Sequence, residues 1–444
     1  MTVEADLIVI GAGASGMMAA GRAAESGASV LLLEKMSQPG RKVVISGKGR
    51  CNLTNAKDLD GFVLMYGNNG RFLYPAFKAF FRDELLAFFM TYGLETTSEP
   101  DGRIFPGSSD AHDVVLALEE YLRAGNVQLQ PRTRVTGIVV ASGLAAGVKI
   151  GNDVLPAKAV VLATGGSSYP ATGSSGDGYR MASAVGHHVI DLRPALVPLV
   201  VRDGELASRL QGVSLRRVRL TSYRCASTAI TSSMEPAFEF GRGLPGRRRG
   251  EMVIESRLGD LMFTHFGLSG PVMLLMSLAV VDALGDGPVS VAIDLVPDES
   301  RQELGRHLQE LFDSSGKREL RNALRYLVPE KLAGVLPQIA GVPGAALCNQ
   351  LTSEHRDRLC ESLKALRFDI KASRPISEAM VTAGGVSIDE IEPRTMGSRR
   401  VAGLFLCGEV IDIDAETGGF NLQAAFSTGY LAGQSAAAYI RCET

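Results

Sequence analysis

Two stretches of the chain carry residues whose types and spacing could do chemistry. The first is Gly11-Ala12-Gly13-Ala14-Ser15-Gly16, with an acid, Glu34, about twenty residues further on. In such a G-x-G-x-x-G loop the first glycine permits a tight turn and the second lets backbone amides approach a pyrophosphate. The third lets the following helix pack closely on its strand, and the start of that helix brings partial positive charge to the phosphates. Gly11, Gly13, Ala14, Ser15 and Gly16 are therefore the expected phosphate cradle. Glu34 would accept hydrogen bonds from an adenosine ribose and would repel a 2′-phosphate, so the ligand is FAD or NAD rather than NADP. The second stretch is GRKVVISGKGRCNLTN, residues 40–55, with a strand-like apolar run, four cations, a cysteine and two asparagines. As a P-loop it fails, because Lys42 stands where a glycine is needed and Gly49 where Ser or Thr is needed. As a second dinucleotide loop it fails at Asn52, in the third glycine's place, with no acid-tipped strand after it. A redox disulfide would need a second cysteine near Cys51, and the sequence has none there. What remains is a glycine-rich segment carrying Arg41, Lys42, Lys48 and Arg50 just after the acid that reads the ribose.

These residues need elements to hold them. DLIVI (6–10) reads as a buried parallel strand, MMAAGRAAESG as a small-residue helix, and ASVLLLE (28–34) as a second strand ending at Glu34. A further strand, AVVLATGG, runs into glycines at 165 and 166, and the chain closes on VAGLFLCGEVIDIDAETGGFNLQAAFSTGYLAGQSAAAYI. From about residue 191 the pattern changes to apolar–polar alternation, and 300–365 shows helical periodicity. The expected architecture is α/β: a doubly wound Rossmann-like dinucleotide-binding domain split in sequence over 1–190 and 371–444. Between the halves, 191–370 is an inserted domain with a β half (about 191–299) and a helical half (about 300–370).

The pairing of the ATGG strand with the C-terminal GLFLCGE…GG…Q segment resembles the FAD-binding domain of the glutathione-reductase superfamily, in its fumarate reductase and aspartate oxidase-like branch. GRKVVISGKGRCNLTN, ATGGSSYPATGSSGDGY, GDLMFTHFGLSGPVMLLMS, RPISEAMVTAGGVS and the C-terminal segment together resemble the BaiN-like bacterial flavoproteins, some of them described as aminoacetone oxidases. Two departures from that family are Lys48, where a third glycine is usual, and DIDAETGGFN, in place of an aspartate–glycine and aromatic–asparagine pattern. The resemblance implies FAD. It lays the 40–55 segment along the pyrophosphate and flavin ring as a cofactor lid, with Arg41, Lys42, Ser46, Gly47, Arg50, Cys51 and Asn52 as contacts. It further implies Ser15, Glu34, Lys35 and Val135, with Thr164 and Gly165 flanking the site, and Gly408, Glu409, Gly418, Gly419, Asn421 and Gln423 from the C-terminal segment. Glu409 stands where many relatives have an aspartate for the ribityl chain. A helix starting near Asn421 would point its positive end at the charge a reduced flavin develops.

Other features read as structural. The G-x-S-x-G spacing of a hydrolase is absent at FGLSGP because Pro271 takes the last position, and Gly270-Pro271 suits a helix start. His265 is a candidate to face substrate. His187 and His188 are adjacent and would face opposite ways, and no cluster has metal-ligand spacing, so no metal is expected. GRGLPGRRRG (241–250), with Arg216, Arg217 and Arg219 upstream, makes the insertion locally basic, and a solvated hairpin loop explains it better than a nucleic-acid surface. Net charge of −2 gives no polyanion-binding signature, six scattered cysteines give no disulfide framework, and no apolar run spans a membrane, which together suggest the cytoplasm. The expected activity is that of an FAD-dependent oxidoreductase passing hydride through flavin N5, reduced transiently by NADH or NADPH and acting on a small organic substrate. An amine oxidase of the aminoacetone type, and a low-turnover redox sensor or RNA-interacting flavoprotein, are the alternatives. No side-chain pairing names a general base.

Overall fold

The computed structural model describes residues 5–231, 234 and 252–443. The chain divides into two compact units, Met1–Arg193 with Ile376–Thr444, and Pro194–Pro375.

The first unit is built on a sheet whose centre is the strand Leu7–Ile10, every residue of it buried. Val30–Leu33 pairs with it in parallel on one side and Ala159–Leu162 on the other. Gln128–Gln130 extends the first side and Leu404–Leu406 the second, again in parallel. Two short antiparallel strands, Gly397–Ser398 and Ile391–Glu392, complete the seven. Because the chain adds strands first on one side of the central strand and later on the other, the strand order reverses beside Leu7–Ile10. A doubly wound fold opens its crevice at such a reversal. This is the expected α/β architecture, assembled from both ends of the chain.

Helix Ala14–Glu25 and the last helix, Phe420–Glu443, pack together by backbone approach. A Cβ on Gly429 would lie 2.3 Å from the Ser15 carbonyl oxygen, and one on Gly433 would lie 2.2 Å from that of Ala19. The start of the last helix is anchored by aromatic packing: Phe420 meets Phe62 edge-on at 4.7 Å, and the buried Tyr66 hydroxyl donates to the Phe420 carbonyl at 2.6 Å.

The second unit is a closed antiparallel barrel. Around it run Leu199–Val201, Gly267–Ser269, Val253–Thr264, Ser214–Tyr223, Val289–Asp294 and Leu366–Ser373. Its interior holds Leu220, Val291 and Ile293, with Phe263 against Phe368 at 5.6 Å. Helices Arg301–Ser314, Glu330–Ile339 and Ser353–Lys364 come before the last barrel strand. Part of the stretch read as continuous β is a helix, Gly204–Leu210, nucleated by the Asp203 side chain accepting from the Leu206 N–H. The basic stretch 241–250 lies outside the described residues. Among the described residues no helix is long and apolar enough to cross a membrane.

Candidate functional site

The glycines of the first loop do different jobs. Gly11 has φ of +100°, and a Cβ there would sit 2.6 Å from the Ala163 carbonyl oxygen. A Cβ on Gly16 would sit 1.8 Å from the carbonyl oxygen of Gly11. Both are required by the fold itself. Gly13 is not: its backbone is extended (φ −84°, ψ −172°), and a Cβ would meet nothing within 4 Å. The fold thus keeps an open space at the one glycine it does not need for packing. Helix Ala14–Glu25 begins there with no side-chain cap, so its first N–H groups are free for an anion.

Glu34 is buried at the end of the second strand, and its carboxylate accepts from the Ala12 N–H (2.8 Å) and the Met36 N–H (2.7 Å). The acid is therefore tied to the glycine loop. Thr133 N–H donates to the Glu34 carbonyl at 2.8 Å, which brings the stretch before Val135 alongside. Val135 lies just before the strand Gly137–Ala141, although RTRVTGIVV reads as one strand in the sequence, after a turn in which Arg132 takes φ +55°. Lys35 reaches Ser175 (2.6 Å) and Asp177 (2.9 Å). Burial would raise the Asp177 carboxyl, but hydrogen bonds from Lys35 and Arg134 outweigh it and hold it at about 2.

The 40–55 segment is not strand-like where its apolar run predicts a strand. Arg41–Ile45 is a short helix, entered through left-handed Gly40 (φ +67°), whose missing side chain makes room for Val115. Lys42 bridges to Glu409 (2.5 Å) and Ser168 (2.6 Å). Ser46 caps locally, donating to the Val43 carbonyl at 2.7 Å. Arg50 pairs with Glu99 at 2.8 Å and lies 4.1 Å from the centre of the Phe105 ring. Cys51 is fully buried, and burial, opposed by a hydrogen bond with Ser46, pushes its thiol up to about 12, so it is no nucleophile. With its nitrogen facing acceptors, the Asn52 amide donates to the Ile104 and Thr54 carbonyls and accepts from Gly419 N–H at 2.9 Å. Asn55 donates to the Gly418 carbonyl at 3.0 Å. The segment is thereby fastened to the glycine pair that opens the last helix.

Gly418 (φ +134°) and Gly419 (φ +92°) need to be glycines; a Cβ on Gly419 would meet the Thr54 carbonyl at 2.4 Å. Asn421 does not point a free amide outward: it accepts from Ala415 N–H and donates to Ala415 O, both at 2.9 Å, fastening the preceding loop. Glu409 accepts from the Thr382 N–H (2.9 Å) and from Ser168 (3.3 Å) as well as from Lys42, so its carboxylate knits three segments together. Gly408 packs on Ser15, and its N–H donates to Thr428 Oγ1 at 3.0 Å. Thr164, beside left-handed Gly165 (φ +70°), has a buried hydroxyl with no partner among the described residues, as do Thr54 and, through its Oε1, Gln423.

This donor set fits a dinucleotide cofactor: an open glycine, an uncapped helix start, a buried acid at the neighbouring strand end, and orphaned polar atoms. Sequence reasoning missed Ser168, Asn55, Asp177 and Thr382, which position the expected residues from far along the chain. Only Asp177 had a signal, in its Gly-Asp-Gly setting. In the second unit, His265 is exposed in the turn after the strand Val253–Thr264, its ring 4.9 Å from Phe266, over which the Arg374 guanidinium lies at 4.8 Å. Among the described residues no three His, Cys, Asp or Glu side chains are grouped to hold a metal ion.

Residues 5–435 match the family described as HI0933-like protein Rossmann domain. The chain is 30% identical over 434 residues to the 3-dehydro-bile acid delta(4,6)-reductase of Clostridium scindens, covering 97% of this chain and 98% of that protein. It is 29% identical over 430 residues to the ribosomal RNA dihydrouridine synthase of Escherichia coli, covering 97% of each. Among solved structures, the 3-ketosteroid delta1-dehydrogenase of Sterolibacterium denitrificans shares the fold, with a TM-score of 0.51 at 13% identity over 98% of this chain and 99% of that one.

Proposed function

The chain belongs to the HI0933-like Rossmann family of FAD-dependent oxidoreductases, and from that premise we propose that it reduces a carbon–carbon double bond conjugated to a carbonyl. The observation that carries this reading is the chemistry common to two relatives, each alike over 97% of this chain. A delta(4,6)-reductase of a 3-oxo steroid and a synthase of dihydrouridine both add two hydrogens to an alkene in conjugation with a carbonyl. Hydride addition at the far alkene carbon places negative charge on the carbonyl oxygen, and a proton then completes the neighbouring carbon.

FAD, when bound, supplies hydride exchange at its N5. The chain's own residues do the rest. The open space at Gly13 and the free N–H groups of the helix from Ala14 receive the pyrophosphate, and Glu34 takes the ribose hydroxyls. The unpartnered Thr164 hydroxyl would be a donor to the cofactor, and the helix from Phe420 would stabilise negative charge on a reduced flavin. The 41–52 segment, held down by Lys42 on Glu409 and by Asn52 on Gly419, would cover the cofactor. NADH or NADPH is the proposed hydride source, bound transiently, since Gly11–Gly16 is the one G-x-G-x-x-G spacing in the sequence that a buried apolar strand pattern leads into; GRGLPG at 241–246 repeats the spacing without it.

The double bond belongs to a free small molecule or to a uracil base in RNA, and the E. coli relative favours keeping the second in the test. The test reduces the FAD-loaded protein anaerobically and mixes it with a steroid dienone, then with a uridine-rich ribosomal RNA fragment. Reoxidation of the flavin with formation of the dihydro product by either supports the reading and names the substrate class. Reoxidation by neither, with peroxide formed from small amines in air, would replace it with an amine oxidase.

A further inference from the structure

The 47–51 stretch carries a run of left-handed backbone. Gly47 (φ +56°), Lys48 (+59°), Gly49 (+86°) and Cys51 (+56°) all take positive φ. Glycine occupies that region without penalty and lysine does not, because its Cβ crowds the carbonyl. Cys51 is held there by complete burial. Lys48 has no such compensation: it is exposed, and a glycine in its place would suit the backbone better. Two neighbouring cations are engaged, Lys42 by Glu409 and Arg50 by Glu99, whereas Lys48, like Arg41, has no ion pair among the described residues; of these two, only Lys48 takes positive φ. Strain held by a non-glycine residue in a segment that borders the candidate site is the ground for a functional reading of Lys48.

Its place indicates which ligand. Gly47 lies against Asn52, a Cβ there falling 3.1 Å from the Asn52 N, and Asn52 bonds to Gly419 at the head of the last helix. We infer that Lys48 recognises an oxyanion, a carboxylate or a phosphate, carried by a molecule that exchanges hydride with the cofactor. This rests on the reading of the 41–52 segment as the cover of the flavin. The oxyanion belongs either to the nicotinamide dinucleotide or to the molecule that is reduced.

The test compares wild type with Lys48→Gly, Lys48→Met and Lys48→Arg, all FAD-loaded. Lys48→Gly removes charge and strain, Lys48→Met removes only charge, and Lys48→Arg keeps both. Two probes are used: NADPH, through anaerobic bleaching of the flavin band, and sulfite, a small oxyanion that adds reversibly to oxidised flavin N5. Lys48→Gly is expected to melt above wild type. Both neutral variants should bind at least one probe about tenfold more weakly and lose its salt dependence, while Lys48→Arg stays near wild type. A loss for NADPH assigns the anion to the dinucleotide; a loss for sulfite alone assigns it to the oxidising substrate. If wild type is not bleached by NADPH, the proposed reductant fails and the sulfite comparison alone decides the role of Lys48. Unchanged affinities for both probes, or a Lys48→Gly protein melting no higher than wild type, would overturn the inference.

Discussion

Replacing Gly13 by alanine separates the cofactor's demands from the fold's. A Cβ at Gly13 meets nothing within 4 Å and the backbone there is extended, so the apoprotein should lose at most ~1 kcal/mol, for a poorer residue at the helix start. In the proposed FAD complex the same methyl would enter the space where the pyrophosphate approaches the amides. A ligand at a hundred times its dissociation constant stabilises the fold by about 2.7 kcal/mol. If the alanine weakens FAD about a hundredfold, only ~0.4 kcal/mol of that remains at the same concentration. Gly16→Ala makes the contrast, since its Cβ would lie 1.8 Å from the Gly11 carbonyl oxygen. It should lower apoprotein stability by about 1–3 kcal/mol through overpacking. Thermal melts of each protein with and without FAD measure both quantities. A Gly13→Ala protein that keeps its full FAD-induced rise in melting temperature would refute the cradle, and so would one that loses several kcal/mol without FAD.

Three further outcomes follow from the same geometry. Gly433→Ala brings a Cβ to 2.2 Å from the Ala19 carbonyl and should cost about 1–3 kcal/mol, read by urea unfolding. Asp177→Asn removes a side chain only 9% exposed whose carboxyl sits at about 2. Its folded value is depressed, so the stabilisation of about 2 kcal/mol is complete above the unfolded value and lost as pH falls toward 2. Unfolding curves of wild type and variant should therefore converge between pH 4 and 2; a gap that stays constant would remove the ion cluster's role. Lys42→Met breaks a partly buried pair and should cost about 1 kcal/mol of stability, while FAD release, followed by flavin fluorescence after dilution, should speed up if the 41–52 segment is the proposed cover.

Much of the first unit was legible because its signals are local. Four consecutive buried aliphatics at 7–10, three glycines at fixed spacing and an acid at 34 each act within one strand–turn–helix unit. Where the reading went astray, tertiary context overrode local preference. Val43-Val44-Ile45 has strand chemistry but forms a helix, because Gly40 turns the chain against Val115. The Gly204–Leu210 helix had its own signal in Asp203 as a cap ahead of Leu206, Ala207 and Leu210, which the surrounding alternation obscured. Contacts such as Lys42–Glu409, Asn55–Gly418 and Ser167 N–H to Thr382 join residues hundreds of positions apart. No spacing rule reaches across such distances, so the site's scaffolding is visible only in the fold.

The most direct measurement is the visible spectrum of the purified protein during anaerobic titration with NADH and then NADPH. A bound flavin band that bleaches with either reductant is the expected result for a nicotinamide-linked flavoprotein reductase. A protein with no flavin band even after incubation with FAD, or a band that neither nucleotide bleaches, would contradict the account.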